Sequence, residues 1–317
     1  MNQNNATMNN TNNNWTTNDI PYLTGKVIIV TGANSGIGYE ATKEFARKGA
    51  QTILACRSVE KAQRALKQIQ AEVPNATIEI MQLDLASQKS IREFAEAFKS
   101  KYDQLDILVN NAGIMMVPYG VTEDGFERQF GTNHLGHFAL TGLLIDLLKN
   151  TPHSRVVNVS SNGHHRGYMD FNNLMFENGK GYSRMDAYCR TKLANLLFTY
   201  ELQRRFEASG ISSIATAAHP GLTNTALADH FFGVKFLRPI LQPFLVRRLQ
   251  NASMGALPTL RAAVDPTTKG GQYYGPDGPG ETRGYPIVVR SNRASHNEAD
   301  ARQLWQVSEK LTGVKFL

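Results

Sequence analysis

From Gly25 to Ala218 the chain alternates between two kinds of segment. Short runs rich in β-branched residues, KVIIV, QTILAC, ATIEIMQL, LDILVN, SRVVNVS and ISSIATAA, are separated by longer amphipathic stretches. Runs this apolar have no face to give to water, so each strand must be covered on both sides. Helices on both faces of a mostly parallel sheet meet that demand, and right-handed crossovers make the result a doubly wound, three-layer α/β fold. No Pro/Gly/Ser-rich linker interrupts the 317 residues, and one unit over residues 20–317 is expected.

The regularity fails at both ends of this stretch. Residues 1–19 hold nine asparagines and one charged side chain, Asp19, which reads as a polar, disordered tail. Residues 226–250 carry Phe231, Phe232, Phe236, Leu237 and Phe244, broken by Pro239 and Pro243, and read as an apolar lid over a ligand site. A hydrophobic small-molecule substrate fits such a lid. Lys235, Arg238, Arg247 and Arg248 beside its phenylalanines would also allow peripheral contact with an anionic membrane. No apolar run approaches 18 residues, so no transmembrane segment is expected. The net charge of +7 comes without a Lys/Arg run or zinc-finger spacing, which excludes a nucleic-acid reader. Cys56 and Cys189 form no disulfide framework or metal-ligand spacing, and with no secretory signal they point to a cytoplasmic, reducing location. His134, His137, His164 and His165 lack the carboxylate or cysteine that would complete a metal set, so no metal is expected.

Between the first strand and the first helix lies Thr31-Gly32-Ala33-Asn34-Ser35-Gly36-Ile37-Gly38. Gly32 permits a turn closed to other residues, Gly36 lets a diphosphate approach the backbone, and Gly38 lets helix and strand pack closely. The spacing is Gly-x-x-x-Gly-x-Gly, not the commoner Gly-x-Gly-x-x-Gly, but its place in a βαβ unit makes it a dinucleotide site spanning Gly32, Asn34, Ser35, Gly36, Ile37 and Gly38. An acidic residue at the end of the second strand would hold an adenosine 2′-hydroxyl. This chain has Arg57 there, 19 residues past Gly38, and a guanidinium suits a 2′-phosphate. NADP(H) is therefore expected over NAD(H).

Tyr188 and Lys192 stand four apart in a helical segment, on one face. The strand SRVVNVSS brings Ser160 and Ser161 to the carboxyl edge of the sheet, where such folds bind ligands. Together with TGANSGIG, Asp84 in LDL, Asn110-Asn111-Ala112-Gly113, Asn133 in TNHLGHF, and His219-Pro220-Gly221 followed by Thr225, these motifs resemble the short-chain dehydrogenase/reductase family over about residues 25–290. Their wording is similar to its retinol dehydrogenase, WW-domain oxidoreductase and protochlorophyllide reductase branch.

The resemblance implies a Rossmann fold and hydride transfer between a nicotinamide and a hydrophobic alcohol or carbonyl, retinoid-, steroid- or lipid-like. Tyr188 would be the acid/base, Lys192 would lower its pKa and hold the nicotinamide ribose, Ser161 would bond the substrate oxygen, and Asn133 would hold a relay water. Asp84, Leu85, Asn111, Ala112, Gly113, Pro220, Gly221 and Thr225 would complete the cofactor site. Family members often pair through the helices carrying Asn133 and Tyr188, which implies a homodimer. The 27 residues from Ser161 to Tyr188 exceed the usual spacing, and the insertion is expected to line the substrate mouth. Reduction of a conjugated double bond, or a weakly active NADP(H)-binding sensor or scaffold, remains open as an alternative.

Overall fold

A computed structural model describes residues 14–223 and 249–317. Thr225 and residues 226–248 of the expected lid lie outside them. The six apolar runs form β1 (Val27–Thr31), β2 (Gln51–Cys56), β3 (Ile78–Gln82), β4 (Ile107–Asn110), β5 (Arg155–Val159) and β6 (Ile214–Ala218). Two further strands, β7 (Tyr273–Pro276) and β8 (Pro286–Val289), complete one sheet in the order β3-β2-β1-β4-β5-β6-β7-β8. Every pairing is parallel except β7 with β8. This last hairpin has little strand signal: Gly275 and Pro276 disfavour regular pairing, and the hairpin survives because it closes the sheet's edge.

The helices are α1 (Gly36–Arg47), α2 (Val59–Glu72), α3 (Gln88–Lys99), α4 (Gly136–Leu143), α5 (Ile145–Asn150), α6 (Arg184–Ala208), α7 (Ala252–Val264) and α8 (Glu298–Thr312). Serine caps start several of them. Ser58 accepts from the Lys61 N–H at 3.3 Å and Ser87 from the Ser90 N–H at 3.2 Å. Phe45, Ala62 and Leu260 pack α1, α2 and α7 on one side of the sheet, while Phe94, Phe138, Phe198 and Trp305 pack α3, α4, α6 and α8 on the other. The strand order reverses at β1, between β2 and β4, and opens the crevice in which such sheets bind ligands.

Two expectations change. The polar tail does not reach residue 19 as disordered chain: Thr16 caps a 3-10 turn, Thr17–Asp19, and Trp15 and Ile20 are buried against the β1/α1 side of the core. Tryptophan burial outweighs the polar composition around it. The helices expected to pair two copies are, moreover, covered within one chain. An unbroken buried run from Cys189 to Gln203 spans about four turns of α6, leaving no face for a partner, and Gly136 to Gly142 are all buried in α4. Helix α8 and the residues after it supply the cover. Trp305 and Phe316 lie 5.1 and 4.9 Å from the Phe138 ring, and Gly142 lacks a side chain where Phe316 crosses it.

Candidate active site

The site begins where β1 turns into α1. Gly32 (φ +66°) and Gly36 (φ +57°) adopt left-handed backbone that a side chain would strain. A Cβ on Gly38 would stand 2.6 Å from the Gly32 carbonyl oxygen and 2.5 Å from Asn111 Nδ2, so only glycine fits. Asn111 locks this loop to the β4 turn by donating from Nδ2 to the Thr31 carbonyl at 2.8 Å. The N-cap of α1, Ser35, makes no side-chain capping bond. The first N–H groups of the helix are thus left for an anion at the cavity floor.

A cavity of about 740 Å³ runs from this loop along the carboxyl edge of the sheet. Gly32, Asn34, Ser35, Gly36, Ile37 and Gly38 line its floor, Arg57, Asp84 and Leu85 one end, and Asn111, Ala112, Gly113, Tyr188, Lys192 and Pro220 the other. Arg57 is exposed at the rim, and its backbone carbonyl accepts from Gln82 at 3.2 Å. Asp84 serves partly in turn structure, since one carboxylate oxygen accepts from the Ala86 N–H at 3.0 Å. Gly221 stays out of the cavity: its φ of +65° lets it pack against the backbone at Thr282. The preceding His219 is bonded to Glu281 at 2.8 Å, tying the end of β6 to the 279–282 turn.

Residues that sequence reasoning missed also line the cavity, among them Ser87, Val121, Thr122, Glu123, Arg128 and Thr132. Most come from one excursion between β4 and α4, where Val121 bridges to Glu127 and the Gln88 N–H donates to Asp124 at 2.9 Å. The Asp124-Gly125 dipeptide was its available turn signal.

The two serines at the end of β5 part company. Ser160 is buried, and its hydroxyl donates to the Lys192 carbonyl at 2.8 Å, which spends it on helix α6. The Ser161 hydroxyl accepts from the Gly163 N–H at 3.1 Å and stands beside the Tyr188 phenol, although Ser161 is not among the residues that line the cavity. Burial pushes the Tyr188 phenol up to about 12, with the neighbouring Ser161 hydroxyl opposing. Burial likewise pushes the Lys192 ammonium down to about 8. Lys192 Nζ lies 5.6 Å from the centre of the Tyr188 ring and donates to the Val159 carbonyl at 3.0 Å. The lowering expected of Tyr188 is therefore not supplied by the protein's own groups, because the lysine is held by a carbonyl and desolvation prevails.

Asn133 sits in a π-turn, Gly131–Leu135, whose exit N–H, on Gly136, reaches back five residues to Gly131. Its side chain is a brace: Oδ1 accepts from the Ile114 N–H at 2.8 Å, and Nδ2 donates to the Ile114 carbonyl at 2.9 Å and to Thr191 at 3.1 Å. Both amide hydrogens are spent, so the side chain has no donor left for the relay water expected at Asn133.

The long insertion is clipped to this site at several points. Tyr182 donates to the Val117 carbonyl in the cavity wall at 2.8 Å. Arg190, buried on α6, donates to the carbonyls of Asn173 and Leu174 at 2.7 and 2.8 Å and stacks 4.1 Å from the Phe176 ring. His164 has both ring nitrogens bonded to backbone, at the Ser161 carbonyl and the Asn292 N–H, a structural assignment for that histidine.

Residues 26–174 match the family model described as short chain dehydrogenase. Retinol dehydrogenase 13 of Homo sapiens is 42% identical over 297 residues, spanning 92% of this chain and 86% of its own. Retinol dehydrogenase 12 of Homo sapiens is 41% identical over 294 residues, spanning 93% and 88%. Among solved structures, a protein from Mycobacterium paratuberculosis is 38% identical with a TM-score of 0.80, covering 96% of this chain and 99% of that one. A short chain dehydrogenase from Shigella flexneri, solved with NADP, shares the fold at 24% identity and a TM-score of 0.61, covering 80% and 97%. With the glycine loop, the Tyr188/Lys192 pair and the sheet order in place, the chain belongs to the short chain dehydrogenase family, in its retinol dehydrogenase-like branch, and is an oxidoreductase acting on CH–OH groups.

Proposed function

We propose that the protein interconverts a hydrophobic alcohol and its aldehyde or ketone with NADP(H), the substrate being of the retinoid class that the relatives' names carry. One observation carries the reading: an ammonium, Lys192, is buried beside a phenol, Tyr188, at one end of a cavity whose floor holds a helix start with no side-chain cap and whose other end holds the exposed Arg57, which has no side-chain partner among the described residues. The residues fit a dinucleotide phosphate. Gly32, Gly36 and Gly38 would clear the floor for it, the α1 N-terminus would face the diphosphate, Arg57 would take the 2′-phosphate, and Lys192, whose one hydrogen-bond acceptor among the described residues is the Val159 carbonyl, would donate to the ribose. When bound, the nicotinamide supplies or accepts the hydride.

Tyr188 donates its proton to the carbonyl oxygen in reduction and takes it back in oxidation. A phenol at about 12 is protonated near neutral pH, as the acid role requires, but it is a weak acid, and the base role needs the positive charge of the oxidised cofactor nearby. Ser161 orients the substrate oxygen beside the phenol, while the Tyr182 and Arg190 clips hold the insertion as the wall of the substrate mouth. Both cysteines are unpaired and buried, in keeping with a cytoplasmic site of action. Among the described residues no helix is long and apolar enough to cross a membrane. Since α4 and α6 are covered, any homodimer forms through another surface.

Fluorescence titration with NADPH and NADH, followed by turnover of all-trans-retinal, steroid ketones and lipid aldehydes, tests the reading. Tighter NADPH binding with turnover abolished in Tyr188→Phe is the expected result. NADPH binding without turnover on any carbonyl would replace the enzyme with a sensor.

A further inference from the structure

Behind the cavity wall His137 is fully buried, and the chemistry above does not use it. Its Nδ1 lies 3.1 Å from the backbone carbonyl oxygen of Asn133, and its Nε2 lies 2.9 Å from the Thr31 hydroxyl. A carbonyl only accepts, so Nδ1 carries the hydrogen; Nε2 of the neutral ring is then an acceptor. Thr31 completes the logic. Its oxygen already accepts the N–H groups of Asn111 and Ala112, each at 2.9 Å, so no lone pair is left for an Nε2–H, and its own proton has two acceptors, the Val109 carbonyl at 3.3 Å and Nε2 at the shorter 2.9 Å. Burial pushes the ring down to about 4, and the charge of Lys192 acts in the same direction, so the neutral form persists.

This bond is made inside the π-turn. A turn that bonds five residues back, as Gly136 does to Gly131, widens the helix and disturbs the regular pairing of its carbonyls, and the His137 ring reaches one of them. We infer that His137 is a positioning residue for proton handling: as the Nδ1–H tautomer it fixes the Asn133 carbonyl, on the relay side, to Thr31, at the root of the glycine loop and the β4 turn. This deepens the proposed function and rests on its reading of Tyr188 as acid/base and on the proton relay that the family resemblance implies at Asn133.

Two variants divide the ring's two bonds. In His137→Asn the amide nitrogen takes the place of Nδ1 and keeps the donor to Asn133. In His137→Gln the amide reaches the place of Nε2 and keeps only the contact to Thr31. With NADPH saturating and the best carbonyl of the panel, kcat is expected to fall at least 30-fold in His137→Gln and less than 3-fold in His137→Asn, with the NADPH KM within 2-fold in both. Equal losses, or the reverse order, overturn the inference. A second measurement does not depend on turnover or on the variants folding. In the wild-type protein with NADPH, ¹⁵N-histidine NMR is expected to show His137 as the Nδ1–H tautomer from pH 5.5 to 8. An Nε2–H ring, or one protonated at pH 6, overturns it. If no carbonyl is turned over, the oxidoreductase reading fails, and this spectrum alone then decides for or against the ring's assigned bonds.

Discussion

Ser160 and Ser161 are neighbours in the chain, yet their hydroxyls differ in use: Ser160 lines the cavity but spends its proton on α6, whereas Ser161 stands beside the Tyr188 phenol. Ser160 donates to the Lys192 carbonyl and holds α6 against β5; Ser161 faces Tyr188. The same division runs through the whole site. In the wall, Thr31, His137, Asn133 and Thr191 close one another's hydrogen-bonding capacity across β1, the π-turn and α6. At the cavity, the α1 N-terminus has no side-chain cap, Arg57 has no side-chain partner among the described residues, and buried Lys192 has one carbonyl. Buried polar groups are costly unless paired, so unfilled capacity marks where a ligand belongs and filled capacity marks what holds the site in shape.

The sharpest test of that division is Tyr188→Phe, which should lower kcat about 1,000-fold while leaving NADPH affinity within about 3-fold, as single-turnover kinetics and fluorescence titration would show. Next is Gly38→Ala, whose methyl collides with Gly32 and Asn111; a rise of about 100-fold in NADPH Kd is expected, and an unchanged Kd would mean the loop is not the floor of the site. The serines give the direct comparison: Ser161→Ala should cost about 30-fold in kcat, whereas Ser160→Ala should change kcat by less than about 3-fold and instead lose about 1 kcal/mol in urea unfolding. Equal effects of the two would break the division. Arg57→Ala should cut the NADPH-over-NADH preference about 10-fold.

The smallest expected effect concerns stability. Lys192→Met removes turnover but should raise Tm at pH 7 by about 2–6 °C, because a buried ammonium is replaced by an apolar side chain of similar size. The sign follows from the pKa. Burial lowers Lys192 to about 8 in the folded chain from an ordinary value of 10.5, so protonating it is costly to the fold below pH 8. The gain in Tm should therefore be largest below pH 8 and shrink as pH rises toward 10.5, which thermal melts across that range would reveal.

The cavity side was the legible side. Glycines at a strand-to-helix turn, an arginine at the end of β2 and a Tyr/Lys pair four apart have local spacings that one sequence displays, and the cavity gathers Gly32 to Gly38, Arg57, Tyr188 and Lys192 as those spacings imply. The wall was not legible, because its bonds join positions as distant as Thr31 and His137, and neither residue type announces a partner at that range. Trp15 escaped for the opposite reason: one aromatic inside an asparagine-rich segment is outvoted by composition but not by burial area. The β7–β8 hairpin was missed because its Gly and Pro residues obscure the strand signal.

The covering of α6 has a kinetic consequence. Phe316 packs on Phe138 and Gly142 of α4, and Trp305 on Phe198 of α6, so the contacts that seal these two helices span more than 100 residues of chain. Contacts of such high order form after local ones, because the loop entropy must be met before they contribute. A refolding chain is therefore expected to assemble its βαβ units before the apolar flank of α4 and α6 is covered, which stopped-flow refolding of Phe316→Ala against wild type would test. That interval is when the protein is most open to aggregation, and it ends only when Trp305 and Phe316 dock.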